Sequence, residues 1–263
     1  MAALLEPPPW RIAGAYVVGS AHVRAGQPCQ DVARWEIVAT RDGEPVLLVV
    51  ASDGAGSARY AEIGATLAVE EALARLARLI ERGVHRLTEA AARELVGSLG
   101  AALERRAEGL GVARRELACT LLAVAVGVSR AAFLQVGDGA IVVSPLGGRG
   151  EFSCPTAPAR GEHANETSFL TDRTPAVSFA ASREPLVEVA VLTDGLEPLC
   201  LDRLTRRPHV PFFTGTLGPL RREPAGRTAG LEAALGDFLT STRVRARTDD
   251  DVTLVLASRR LER

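Results

Sequence analysis

Three apolar runs in this chain end in Asp-Gly: LLVVASDG with Asp53, AAFLQVGDG with Asp138 and VEVAVLTDG with Asp194. A further acidic cluster, Asp249-Asp250-Asp251, stands just before VTLVLA, and Gln30-Asp31 stands just before VARWEIVA. Short apolar runs bounded by turn residues read as buried strands. Each acid therefore sits at a strand end, where a sheet can gather residues that are distant in sequence. The pattern has two readings. Asp-Gly is a favoured hairpin turn dipeptide, and for Asp138 that reading can hold beside the other, because GDG joins two strands. The second reading is a metal site: carboxylates without partner histidines suit a hard cation such as Mg²⁺ or Mn²⁺. A glycine after each aspartate permits a tight turn and lets a backbone carbonyl approach a metal.

Patterning elsewhere fills in the frame. Residues 12–23 read as a first strand; 33–40 and 45–52 flank the turn RDGE as a hairpin. Helical periodicity runs from Ala58 to Arg82 and again from Leu87 to Leu110. Residues 117–126 and 131–136 read as a buried hairpin continued by 140–146, and 188–193 as another buried strand. The stretch 147–186 reads as short strands within a surface excursion, and 198–228 is rich in Pro, Gly and Arg. Within it Arg221, Arg222 and Arg227 read as solvated surface, and Phe212-Phe213 as core or a lid contact. A helix at 231–241 and a strand at 251–258 close the chain. Gathered strands with paired helices point to an α+β layer architecture.

Composition excludes several functions. Hydrophobic residues are 47% and charged residues 24% of 263, with a net charge of -1. That balance argues against wrapping nucleic acid or coating an anionic membrane. No run approaches the roughly 20 apolar residues of a membrane span. The start, MAALLEPPPW, lacks a basic segment followed by an apolar run, so no signal peptide is expected. The four cysteines form no C-x-x-C pair, and a cytoplasmic protein with reduced thiols is expected. All basic residues other than histidine are arginine.

In order, GSAHVRAGQPCQD (19–31), VVASDGAGSARYAEIGA (49–65), ACTLLAVAV (118–126), LQVGDGA (134–140), NETSFLTD (165–172), VAVLTDGL (189–196) and DDDVTLVLA (249–257) resemble the type 2C metal-dependent (PPM) Ser/Thr protein phosphatases, in their compact bacterial branch. The resemblance spans nearly the whole length. It implies one domain over 1–263, with residues 1–10 a flexible N-terminus, folded as a four-layer α-β-β-α sandwich of two antiparallel sheets. It also implies hydrolysis of phosphoserine and phosphothreonine by water activated on two divalent cations, Mn²⁺ or Mg²⁺, with a possible third, weaker site. Asp53 would bridge both cations, with the Gly54 carbonyl, Asp194, Asp250 (Asp249 in another register), Asp31 and Asp138 completing the set. The phosphorylated protein substrate would be that of a bacterial Ser/Thr kinase.

The chain departs from the family at three places. Gln30 stands where an acid is usual; Arg24 lies two residues upstream of the usual phosphate-binding arginine; Ala55 replaces the histidine of eukaryotic members. His22, read as the end of a strand, is a candidate to bind phosphate, and the leaving group would be protonated by a metal-bound water or by a residue such as His22. Gln30 and the displaced Arg24 keep two rivals open: a catalytically silent binding module on the same fold, and a phosphoesterase of small molecules.

Overall fold

Strands that are apolar along their whole length need cover on both faces, and here two stacked sheets and two helical layers supply it. The computed structural model describes residues 10–83, 87–158, 167–224 and 226–260. Ten strands are present among them: β1 (Trp10–Val17), β2 (Val32–Ala39), β3 (Pro45–Ser52), β4 (Leu121–Val126), β5 (Ala131–Val136), β6 (Ala140–Pro145), β7 (Val177–Ser182), β8 (Leu186–Leu192), β9 (Gly226–Arg227) and β10 (Val252–Arg259). They form two five-stranded sheets, ordered β6-β8-β10-β1-β9 and β2-β3-β4-β5-β7. Pairing is antiparallel apart from the short parallel contact of β1 with β9. The helices are α1 (Ser20–Ala25), α2 (Ala61–Glu81), α3 (Glu89–Leu110), α4 (Glu197–Cys200), α5 (Val210–Leu220), α6 (Ala229–Leu239) and α7 (Thr242–Arg245).

The two-residue period of a strand sorts side chains into layers. On β3, Leu47 and Val49 face inward and pack with Leu122, Phe133, Ile141 and Val191 between the sheets. Leu48 and Val50 face outward and meet Ala65, Val69, Leu95 and Leu99 of α2 and α3. On the other sheet Ala13, Ala190 and Leu256 face outward onto Phe213, Leu217 and Leu239 of α5 and α6. The result is the expected α-β-β-α order. Helix α2 approaches closely because the first half of its buried face is mostly alanine and glycine (Ala61, Gly64, Ala65, Ala68, Ala72); a Cβ on Gly64 would stand 2.2 Å from the Leu117 carbonyl oxygen.

Several expectations change. The first strand stops at Val17, and His22 lies on α1 rather than at a strand end. Gly26 ends that helix in the left-handed conformation (φ 65°); its N–H donates to the Val23 carbonyl at 3.2 Å, and the Gln27 N–H donates to the His22 carbonyl at 2.9 Å. Trp10, assigned to a flexible leader, is buried and opens β1, while 1–9 lie outside the described residues. Strand β6 does not extend the β4–β5 hairpin but joins the opposite sheet, beside β8. The stretch 198–228 contains helix α5. Arg221 is no surface residue: its Nε and Nη2 bond both carboxylate oxygens of Glu188 on β8 at 2.5 and 2.9 Å. The Glu188 side chain is only 1% exposed.

A buried carboxylate that loses its partner is costly, whereas an apolar pair in the same place is not. Arg221→Leu is therefore expected to lower stability by about 3–5 kcal/mol, measured from urea midpoints. The double change Glu188→Leu/Arg221→Leu should recover most of that loss. A single variant as stable as the parent would contradict this account.

Candidate metal centre

Strand register carries the acids to one end of the sandwich. Val32 pairs with Ser52, Ala51 with Leu122 and Leu121 with Val136 in one sheet. In the other, Leu192 pairs with both Ala140 and Leu254, and Val17 with Val252. Asp31, Asp53, Asp194 and the 249–251 cluster thus all leave their strands at the same edge. The turn Gly137-Asp138-Gly139 crosses from β5 to β6, hence from sheet to sheet, and adds Asp138 there. Both its glycines have positive φ (89° and 82°). A Cβ on Gly137 would meet the Thr120 side chain at 2.6 Å, and one on Gly139 the Leu192 carbonyl oxygen at 2.7 Å. Asp138 therefore owes its place to a tight inter-sheet crossing, not to a hairpin.

One carboxylate oxygen from each of Asp53, Asp138 and Asp194 lies within 4.8 Å of the others, all three half-buried. The Asp53 backbone is locked in register: its N–H donates to Thr120 Oγ1 at 2.9 Å, and its carbonyl accepts from the Thr120 N–H at 2.8 Å. Asp138 Oδ2 accepts from Thr167 Oγ1 at 2.8 Å. Asp31 lies deeper. Its Oδ2 accepts from the hydroxyls of Thr193 (2.7 Å) and Thr253 (2.8 Å), while its buried Oδ1 has no partner.

Burial, with crowding second, sets the electrostatics. Burial, then the charges of Asp31, Asp194 and Asp250, push the Asp53 carboxyl far above the usual carboxylate range. Burial, then Asp138 and Asp250, raise Asp194 to about 7. Burial raises Asp31 to about 7 against the two threonine hydroxyls, which pull it down. Among the described residues none of Asp31, Asp53, Asp138 and Asp194 has an arginine or histidine within ion-pair distance. An all-carboxylate donor set, an unpartnered buried oxygen and uncompensated like charge fit a hard divalent cation.

The three terminal aspartates differ sharply. Asp251 is buried and anchors other segments: Oδ1 accepts from the Gly19 N–H and Oδ2 from the Gln30 N–H, both at 2.6 Å. His22 Nδ1 stands 2.9 Å from the same Oδ2. Asp249 is exposed and pairs with Arg24 at 3.1 Å. Asp250 is exposed, accepts the Asp251 N–H through Oδ1 at 2.8 Å and no other hydrogen bond among the described residues, and is close enough to raise both Asp53 and Asp194. Gln30 is buried, with Oε1 unpartnered, and its carbonyl accepts from the Gly54 N–H at 3.2 Å.

Some residues at the site escaped the reading of the sequence. Thr193 and Thr253 orient Asp31, and the signal was present: a threonine precedes Asp194, and another lies two residues after Asp251. Arg206, with φ 54°, grips Glu197 through two bonds (2.6 and 2.8 Å) and donates to the Gly139 carbonyl at 2.9 Å. It braces the Asp138 turn against the segment after Asp194. Nothing local in LDRLTRRP marks that role.

Known proteins resemble this chain in sequence and in fold. The family model described as protein phosphatase 2C matches residues 18–240. Serine/threonine-protein phosphatase 3 of Escherichia coli (strain K12) is 38% identical over 251 residues, covering 94% of this chain and 98% of that protein. A crystal structure of a bacterial serine phosphatase superposes with a TM-score of 0.63 at 15% identity, covering 96% and 98% of the two chains. Serine/threonine phosphatase Stp1 from Staphylococcus aureus superposes at 0.61 with 16% identity, covering 95% of each. At such identities those structures speak for the shared fold alone. The family match and the identity to the Escherichia coli protein carry the assignment: this chain belongs to the protein phosphatase 2C family.

Proposed function

We propose that the chain is a single-domain, cytoplasmic phosphoprotein phosphatase that hydrolyses phosphoserine and phosphothreonine, opposing a bacterial Ser/Thr kinase. The observation that carries this reading is the meeting of Asp53, Asp138 and Asp194 within 4.8 Å, in a family that depends on metal. No helix among the described residues is long and apolar enough to cross a membrane.

We assign two Mn²⁺ or Mg²⁺ ions to the centre, and a weaker third to the side of Asp138. Such ions supply an acidified water and a sink for phosphoryl charge. Asp53, the Gly54 carbonyl, Asp194 and Asp250 would hold the pair. Asp250 is preferred over its neighbours because Asp251 is committed to backbone donors and Asp249 to Arg24. Asp31, with one oxygen fixed by threonines and the other unpartnered, would complete the set.

The chain's own residues then bind and protonate. Arg24 is an exposed partner of Asp249, and exposed pairs are weak, so its guanidinium can exchange onto a phosphate dianion. His22 turns Nδ1 to Asp251, and no hydrogen bond among the described residues engages Nε2. When the ring carries a proton on Nε2, that N–H can donate to the leaving oxygen. That role suits a chain with Ala55 in place of the eukaryotic histidine.

With Mn²⁺, the purified protein is expected to dephosphorylate a phosphothreonine peptide in preference to nucleotides and sugar phosphates. Asp53→Asn or Asp194→Asn should reduce turnover by at least about 100-fold with the circular dichroism unchanged. Equal rates with Mn²⁺ and with EDTA would refute the proposal.

A pH dependence follows from the crowded acids. Asp31 and Asp194 lie near 7 folded, against an ordinary 3.8. Between those values the folded, metal-free protein binds more protons than the unfolded chain, so its stability drains away as pH rises. The melting temperature in EDTA should fall from pH 5 to pH 8. Mn²⁺ should raise it more at pH 8 than at pH 5. A midpoint in EDTA that climbs across this range would contradict the crowding.

A further inference from the structure

The layer formed by α5, α6 and α7 encloses a cavity that takes no part in the chemistry above. Its volume is about 470 Å³, within the range of small-molecule sites. The floor is the outer face of the β1-β10 sheet, where Ala13 and Leu256 pair and are both buried. The short Ala13 side chain leaves depth between the helices. The walls are Phe212 of α5 and Phe238 of α6, half-buried, with ring centroids 6.2 Å apart and planes at 51°. The mouth carries Arg243, Arg247 and His209, all exposed. No carboxylate lines the cavity, and among the described residues neither arginine has an ion-pair partner.

We infer that this cavity is a binding site for an aromatic carboxylate of about the size of naphthoate. The two rings offer tilted faces to an aromatic body. Two guanidiniums free of acidic partners offer forked donors to a carboxylate at the rim. The charge is one-sided and the floor apolar, so both ends of such a molecule are matched at once. The site is distinct from the aspartate centre, since no residue lining it is among the metal-centre acids or their hydrogen-bond partners.

Calorimetric titration of the full chain with 1-naphthoate tests the assignment. Saturable binding of one molecule per chain is expected, with no response to acetate, which lacks the body, or to 1-naphthylmethylammonium, which reverses the charge. Arg243→Gln/Arg247→Gln should weaken binding at least tenfold. Gly215→Leu should abolish it: Gly215 lines the cavity, and a Cβ there meets nothing within 4 Å, so the new side chain can occupy the void. Both variants should keep the parent's circular dichroism and phosphatase rate, which separates loss of the site from loss of the fold. Absence of saturable heat with naphthoate would overturn the inference. So would undiminished affinity in both variants, equal binding of the cation, or a concentration-dependent dimer that naphthoate cannot dissociate, which would give the cavity to a second copy of the chain.

Discussion

Carboxylates brought to one edge of the sandwich repel one another, and the rest of the fold must hold them there. In bulk water their mutual repulsion would be slight, but half-burial lowers the local dielectric and magnifies it. Burial first, and the neighbouring charges after it, displace Asp31, Asp53 and Asp194 upward. What resists the repulsion is the inter-sheet core, where Leu47, Val49, Leu122, Val191 and Val255 lock the two sheets together. A site built from strand ends is as rigid as the strands behind it. The acids cannot drift apart to relieve their charge without breaking register, so relief is left to protonation or to a bound cation.

Consecutive residues divide the labour at the terminal cluster. Asp251 ties α1 and the Gln30 backbone to the start of β10, and a Cβ on Gly19 would fall 2.2 Å from the Asp250 carbonyl carbon. That close approach brings α1, with His22 and Arg24, against the acids. One buried carboxylate thus spends both oxygens on structure, while its neighbour, Asp250, remains exposed with Oδ1 engaged by the Asp251 N–H. Charge-assisted bonds to backbone N–H groups are among the strongest polar contacts a fold can make. Their burial explains how a segment as short as α1 keeps its position.

Much of this was legible in the sequence, and the misses have physical causes. β3, β8, α2 and α3 announce themselves through periodicity, because each is long or continuously apolar, and β2 and α6 through shorter stretches of the same patterns. The acids announce themselves through Asp-Gly punctuation. Helix α1 was hidden: AYVVGSAHV alternates like a strand, and only Gly26 marks the helix end. The β5-β6 connection misled because a hairpin and a crossing between sheets need the same Gly-Asp-Gly freedom. Arg221 looked solvated because its partner Glu188 is 33 residues away on β8. Thr193, Thr253 and Arg206 act through contacts made only once the sheets are stacked, so local text carries little trace of them.

The two helical layers solve the same packing problem differently. Helices α2 and α3 are long, and Ala65, Ala68, Ala72 and Gly64 let α2 lie flush on its sheet, leaving little room. Helix α5 reads VPFFTGTLGPL, with two glycines and two prolines in eleven residues, a poor helix by propensity. Phe213, Leu217 and Leu220, spaced four and three apart, are all buried and hold it by packing instead. Helix α6 is equally short, with Gly230 and Gly236. Helices lined by such residues and resting on Ala13 cannot fill the space above their sheet. The void lies on the face where the chain could least readily close it, and Arg243 and Arg247 at its rim make it polar on one side only. The same economy of side chains that weakens this layer also makes it receptive, while the opposite layer, packed to the backbone, holds the Asp53 turn rigid.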